Sequence, residues 1–343
     1  MSYMNKGYVV FTDYVEANTG ADLSDALQKI ILDNPHRTIY FPDGEYVIAK
    51  PICTPANPDH AVSLELSRFA TVKAAEGWSD SEAMIRLGAA EPFNNITKNG
   101  SYYGIHGGIV DGSGVANGIS IDSGRETVIE SVSVKNTVIG VHIKHGANSN
   151  SSDADLLNVN IVGNNKIGSI GVFIEGSDNT FTNMRVAGVQ IGVKIQGGSC
   201  ELMRNVHVLY VFDGELASDE AFRDSYGFWD DSSMNSVYSN CYSDQFATGY
   251  RMRSGAKQVY SDCIAYWYTP RGGKQIGFLA DGKFNSVLRC CNVHCKPACE
   301  TRAYLIETEE GGKGTIYDPL AEPQSLEDKT YEKYLQGSVR SFI

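Results

Sequence analysis

The sequence predicts an all-β chain wound as a single-stranded right-handed parallel β-helix (a solenoid), closed at its amino end by a capping helix. Three observations predict it. First, a glycine followed by outward/inward alternation recurs at Gly118, Gly140, Gly171, Gly192, Gly227, Gly249 and Gly277, with an echo at Ala303. The intervals are uneven with a floor of about 21 residues, which suits coils of one solenoid joined by loops of unequal length. Second, a further strand aligns by its own alternation over 128–134, 156–161, 181–186, 203–208, 237–243, 259–265 and 287–293. One of its columns reads Ser131, Asn158, Asn183, Asn205, Asn240, Asp262, Cys290, and the next reads Val132, Val159, Met184, Val206, Cys241, Cys263, Cys291. Stacked asparagines at a bend predict a side-chain ladder that satisfies backbone groups, and the apolar column beside them predicts core. Third, 35 glycines against 10 prolines fit many tight corners between short strands.

The elements follow in order. Residues 23–32 place Leu23, Ala26, Leu27, Ile30 and Ile31 on one helical face, and Pro35 ends the helix. Next come two strands around the Pro42-Asp43-Gly44 turn, within Thr38-Ile39-Tyr40-Phe41-Pro42-Asp43-Gly44-Glu45-Tyr46-Val47-Ile48. The organisation expected is 1–50 as amino-terminal cap and first strands, 51–310 as β-helix and 311–343 as carboxy-terminal cap or tail, with a short helix over 329–335.

This helix, the Tyr-Phe-Pro-x-Gly-x-Tyr run and the strands after it resemble the amino-terminal cap of the pectate-lyase-like superfamily, which includes polygalacturonase-type glycosidases and phage tailspikes. Gly107-Gly108-Ile109-Val110-Asp111-Gly112-Ser113-Gly114 is similar to a motif found early in many β-helical glycosidases. Asp111 reads as a turn residue, since Asp-Gly is turn chemistry first. The resemblance implies a carbohydrate-active protein, and the glycosidases of the family use clustered aspartates that include an adjacent pair. Asp230-Asp231 is the candidate for such a pair here, without the family's flanking glycine-histidine-glycine.

Net charge of −12 argues against nucleic acid or an anionic membrane as the main partner. No segment reaches 18 continuous apolar residues. Nor does 1–20 hold the apolar core of a signal peptide, so the chain as written is expected in the cytoplasm, or secreted or phage-borne if a longer precursor is trimmed. The eight cysteines read as buried free thiols in a reducing compartment.

In the glycine-led strand the first and third residues after glycine face inward, so the second and fourth face out. The outward columns read Ser120, His142, Phe173, Lys194, Trp229, Arg251, Leu279 and Asp122, Lys144, Glu175, Gln196, Asp231, Arg253, Asp281. Charged, amide and aromatic groups gathered this way suit the gripping of sugar rings and hydroxyls. Asp230 stands where other coils carry Ile, Met or Ala, so it is either turned outward by a bulge or held near neutral inside.

The expected function is glycoside hydrolysis of an oligo- or polysaccharide. Asp230, Asp231 and Glu175 are the acid and base candidates, and Lys144, Lys194, Gln196, Trp229, Arg251, Arg253 and His142 the substrate-binding residues. Two rungs separate Glu175 from Asp231, about 9.6 Å of backbone, which favours an inverting pair. The acidic insertion 210–226 would form one wall of a cleft and 269–274 another.

Two alternatives stand. One is a uronate lyase, with Lys144, Lys194, Arg251 or Arg253 as base and Asp122, Glu175 and Asp231 as calcium ligands. The other is a non-catalytic tailspike-like glycan binder. A homotrimer is compatible with each reading. No cofactor or metal is expected, because the spacing of Cys291, His294, Cys295 and Cys299 matches no usual zinc finger. His142 and His145 read first as exposed loop-edge histidines.

Overall fold

A computed structural model describes residues 7–93, 103–145, 151–253, 255–269, 271, 275–295, 301–307 and 312–319, with the strand backbones at 320–321, 335–336 and 340–341. The chain divides into two compact units, Met1–Asn164 with Glu175–Thr180, and Asn165–Ile174 with Phe181–Ile343. In both, every paired strand is parallel to its partner, as a coil that returns always in the same direction requires. The fold is a parallel β-helix, and parallel crossovers of this kind are right-handed.

The first unit opens with the predicted helix, Ser24–Asp33, which buries Leu27, Ile30 and Ile31. Gln28 fastens it to the first coil, its Nε2 donating to the Cys53 carbonyl at 2.9 Å and its Oε1 accepting from the Cys53 N–H at 2.7 Å. The strands around Pro42-Asp43-Gly44 are Thr38–Phe41 and Gly44–Ile48. Glycine-led strands at Asn117–Ile121 and Ile139–Ile143 pair in register, Ile119 with Val141 and Ser120 with His142. Behind Asn117–Ile121 lies Ala83–Glu91, Ile119 opposite Ile85 and Ser120 opposite Arg86.

The second unit repeats this with Ile170–Ile174, Ile191–Gln196, Tyr226–Asp231, Thr248–Met252, Gln275–Ala280 and Thr301–Ile306. The leading glycine is a steric necessity. A Cβ on Gly192 would lie 2.5 Å from the Gly227 carbonyl oxygen and 2.8 Å from both Cβ and Cγ1 of Val208. Inside, the first residue after each glycine stacks on its counterpart one coil on. Phe228, Tyr250, Phe278 and Tyr304 form a ring ladder with centroids 4.8, 4.6 and 5.4 Å apart and planes within 16°. This is the rung spacing of a parallel sheet expressed in side chains.

The second strand of each coil differs from expectation in one respect. In most coils it is two strands, such as Val237–Ser239 and Tyr242–Asp244. The polar column marks the break. Ser131 and Asn158 in the first unit, and Asn183, Asn205, Asn240, Asp262, Cys290 and Asp318 in the second, all have φ between +44° and +56°. Left-handed backbone is tolerated best by Asn and Asp after glycine, which accounts for their abundance at this corner. Their N–H groups bond the next coil, Asn240 to the Ser261 carbonyl at 3.0 Å and Asp262 to that of Arg289 at 2.9 Å. A side-chain rung joins Asn205 Nδ2 to Asn183 Oδ1 at 3.0 Å.

The adjoining apolar column is fully buried. Cys241, Cys263 and Cys291 are free thiols whose sulfurs donate to the carbonyls of Met203, Tyr238 and Tyr260 at 3.7, 3.6 and 3.5 Å. Burial pushes the Cys241 and Cys263 thiols up. Leu335, placed in a helix from sequence, lies in strand Leu335–Gln336, and 329–334 fall outside the described residues.

Candidate carbohydrate-binding face

In the first unit the outer face of the glycine-led strands carries an ordered charge network. Arg86 Nε and Nη2 donate to Asp122 Oδ2 at 3.1 and 2.5 Å, and Ser120 Oγ donates to Asp122 Oδ1. Lys144 Nζ reaches Glu82, and Asp122 Oδ2 at 3.5 Å. Burial works to raise the Asp122 pKa, but the hydrogen bonds from Arg86 and Ser120 and the charge of Lys144 outweigh it and hold this carboxylate below its ordinary range.

His142 and Glu175 meet on the same face, Nε2 to Oε2 at 2.7 Å. Burial lowers the His142 pKa against the opposing pull of Glu175. This histidine is half-buried and paired, where a loose loop-edge position was expected; His145 is exposed. Lys144 N–H donates to the Ile121 carbonyl at 2.9 Å and Glu175 N–H to that of Ile143 at 2.8 Å. Asp122, Lys144 and Glu175 therefore occupy successive rungs, and the two carboxylates stand about 9.6 Å apart along the backbone.

In the second unit the outer column alternates rings and cations. Lys194 Nζ lies 5.1 Å from the Phe173 ring centre and 5.2 Å from that of Trp229. Arg251 Cζ lies 4.3 Å from Trp229 and 4.9 Å from Tyr226, while its Nε and Nη2 donate to Asp281 Oδ2 at 2.9 and 2.5 Å. Trp229 thus gives its ring to two cations; it holds Lys194 and Arg251 in place and does not offer a free face for stacking on a sugar. Beside this column run Gln196, Asp231 and Arg253. Gln196 pairs in register with Asp231, and both Gln196 and Arg253 are exposed. Among the described residues Asp231 makes no side-chain hydrogen bond or ion pair, and Lys194 has no carboxylate partner.

Asp230 requires a correction. It points inward and is completely buried. Its Oδ2 accepts from Tyr238 Oη at 2.6 Å, and its Oδ1 from the Ser232 N–H at 2.9 Å and Gln258 Nε2 at 3.2 Å. Gln258 Oε1 in turn accepts from Ser286 Oγ at 2.6 Å. Burial raises the Asp230 pKa even against these donors. A carboxyl enclosed in this way cannot touch a substrate, so its role is structural, and the adjacent pair reduces to Asp231 alone.

The insertion 210–226 is folded, with short helices at Gly214–Ala217 and Asp219–Arg223. Tyr210, Phe212 and Phe222 cluster at its base, and Tyr210 Oη donates to the Leu216 carbonyl at 2.7 Å. Arg271, from the second insertion, packs over Phe212 at 4.1 Å and sits 3.8 Å from Asp219. Asp111 is a turn residue as read, its Oδ1 accepting from the Ser113 N–H at 2.9 Å. No group of three metal-ligating side chains occurs among the described residues, and Cys299 lies outside them.

Sequence reasoning gave no binding or catalytic role to Glu82 or Arg86, although Asp122 was noted as a calcium ligand. The strand Ala83–Glu91 lacks the signature that found the other coils, because Met84 stands where a glycine leads elsewhere. The alternation of Met84-Ile85-Arg86-Leu87 into Gly88 was the available signal.

No known family model matches the chain, and no curated protein matches its sequence. Solved structures do match. The tailspike protein of E. coli bacteriophage HK620, in complex with a pentasaccharide, aligns at TM-score 0.68 and 11% identity over 98% of this chain and 63% of that one. An exopolygalacturonase from Thermotoga maritima aligns at TM-score 0.63 and 12% identity, over 99% and 92%. An alginate lyase from Paenibacillus sp. str. FPU-7 aligns at 0.57 and 12%, over 88% and 97%. The chain spans 61% of a Geobacillus virus E2 protein and 63% of the tailspike it matches. These likenesses show the fold, a right-handed parallel β-helix. No helix is long and apolar enough to cross a membrane among the described residues.

Proposed function

We propose that the protein binds an oligo- or polysaccharide along the outer face of its glycine-led strands and hydrolyses it. The observation that carries this reading is the second unit's outer face, where Asp231, a carboxylate without a hydrogen bond or ion pair among the described residues, is flanked by Gln196 and Arg253 beside the Lys194–Trp229–Arg251 column. Lys194 and Arg251, held against the Trp229 ring, are donors fixed in position before a ligand arrives, which lowers the entropy cost of binding a hydroxyl-rich chain. The carbohydrate-bound tailspike and the exopolygalacturonase share the fold and support the substrate class.

Hydrolysis needs one carboxyl group to protonate the leaving oxygen and one to activate water. Asp231 is the candidate in the second unit. In the first, Glu175 is the candidate, and Asp122, kept ionised by Arg86 and Ser120, is the carboxylate two rungs from it.

A non-catalytic glycan receptor is the second reading. It is favoured by Asp281, whose bonds to Arg251 leave Asp231 as the unengaged carboxylate of its column among the described residues. Incubation with neutral and uronic oligosaccharides, followed by product analysis for wild type, Asp231→Asn and Glu175→Gln, separates these. Saturated products lost in either variant support hydrolysis, an unsaturated uronate product replaces it with elimination, and binding without products leaves a receptor.

A further inference from the structure

The second unit carries another polar row, on a wall distinct from the glycine-led strands. On the strands that follow the left-handed corner, His207 pairs in register with Tyr242, Asp244 with Tyr266, and Tyr266 with His294. The His207 and Tyr242 rings stack at 4.5 Å and 8°, and Tyr266 meets Tyr242 edge-on at 6.2 Å.

One imidazole in this row is left with an unmet donor. Arg185 Nη1 lies 3.0 Å from His207 Nδ1. A guanidinium only donates, so Nδ1 is the acceptor and the proton of the neutral ring sits on Nε2. That N–H has no hydrogen-bond partner among the described residues; Asp244 Oδ2 is 3.7 Å away, within the range of an ion pair but beyond that of a hydrogen bond. On the same wall Asn292 Oδ1, from Asn292–Cys295, is a buried acceptor without a partner among the described residues.

We propose that this row is a second binding site, for a neutral oligosaccharide, in which a sugar hydroxyl accepts from His207 Nε2–H and donates to Asp244. A hydroxyl is suited to the gap because it is donor and acceptor at once, so one group satisfies both sides. A carboxylate would be repelled by Asp244 and an ammonium by the His207 N–H. Nε2 is covered from solvent, so binding includes a small rotation of the Asp244 carboxylate. Tyr242 stands one rung beyond His207, and Tyr266 and His294 one and two rungs beyond Asp244, at about 4.8 Å per rung, which favours a ligand that extends along the solenoid axis.

The site does not depend on the face described above, and the test keeps them apart. Cellohexaose, maltohexaose and mannohexaose are titrated calorimetrically into the full chain and into His207→Ala, Tyr242→Phe and Trp229→Ala. At least one of the three sugars is expected to bind wild type, and about tenfold more weakly to His207→Ala and Tyr242→Phe, as loss of one hydrogen-bonded contact implies. The His207 side-chain nitrogen signal of wild type shifts on saturation. Failure of all three sugars to bind overturns the proposal, as does binding that His207→Ala leaves intact. Binding lost in Trp229→Ala but not in His207→Ala assigns the sugar to the glycine-led face instead.

Discussion

Replacing Asp230 tests whether a carboxyl inside the coil is structural. Asp230→Ala strands three donors, Tyr238 Oη, the Ser232 N–H and Gln258 Nε2, in a region without solvent, and also opens a void. Each orphaned donor costs about 1–3 kcal/mol, and because the three share one site their sum is less than additive, so a loss of about 3–5 kcal/mol is expected. Asp230→Asn keeps the volume but turns one acceptor into a donor facing donors, at about 1–3 kcal/mol.

The pH dependence follows from the raised pKa. A carboxyl whose pKa is higher in the folded state than in the unfolded one favours folding most below the unfolded value of about 3.9, and that contribution is lost as pH rises through the folded value. Wild type should therefore lose its advantage over Asp230→Asn as pH rises from about 4. Urea denaturation of both proteins across pH 4–8, read by tyrosine fluorescence and circular dichroism, measures this. A cost under about 1 kcal/mol for Asp230→Ala, or a gap independent of pH, would refute the reasoning.

Other expectations concern the coil itself. Gly192→Ala forces a methyl against the Gly227 carbonyl and Val208, and should lower the urea midpoint by the equivalent of about 1–3 kcal/mol. Asn205→Ala places an ordinary residue at φ +55° and should cost about 1–2 kcal/mol, whereas Asn205→Gly, which loses the Asn183 bond but no conformational freedom, should cost less. Arg271→Ala removes the contacts to Phe212 and Asp219 and should speed proteolysis within 210–226, mapped by mass spectrometry of the fragments.

Much of the architecture was legible because its causes are local. A leading glycine and inward/outward alternation identified the packed strand, since no side chain fits at Gly192 or Gly227 and a core position must be apolar. The asparagine column was visible as a ladder, but its left-handed backbone was not, because a side-chain preference does not state which φ it serves. Asp230 kept its inward place without a bulge because Tyr238 and Gln258, from other stretches of the sequence, reach it; partners that distant leave no local pattern. For the same reason the stacking of Lys194 and Arg251 on Trp229 could not be read from the columns, although the columns themselves could. The insertion 210–226 reads from sequence as an acidic cleft wall, yet Tyr210, Phe212 and Phe222 fold it on an aromatic cluster, which depends on a helical turn too short to show as periodicity.

The decisive contact is that of the Gln196–Asp231–Arg253 column with a glycan. Calorimetric titration of wild type, Lys194→Ala and Arg253→Ala with the best ligand from a panel of neutral and uronic oligosaccharides measures this directly. An affinity at least about tenfold weaker in Arg253→Ala, with Lys194→Ala weakened in the same direction, is the predicted result. Undiminished affinity in both variants, or no binding of any glycan by wild type, would contradict it.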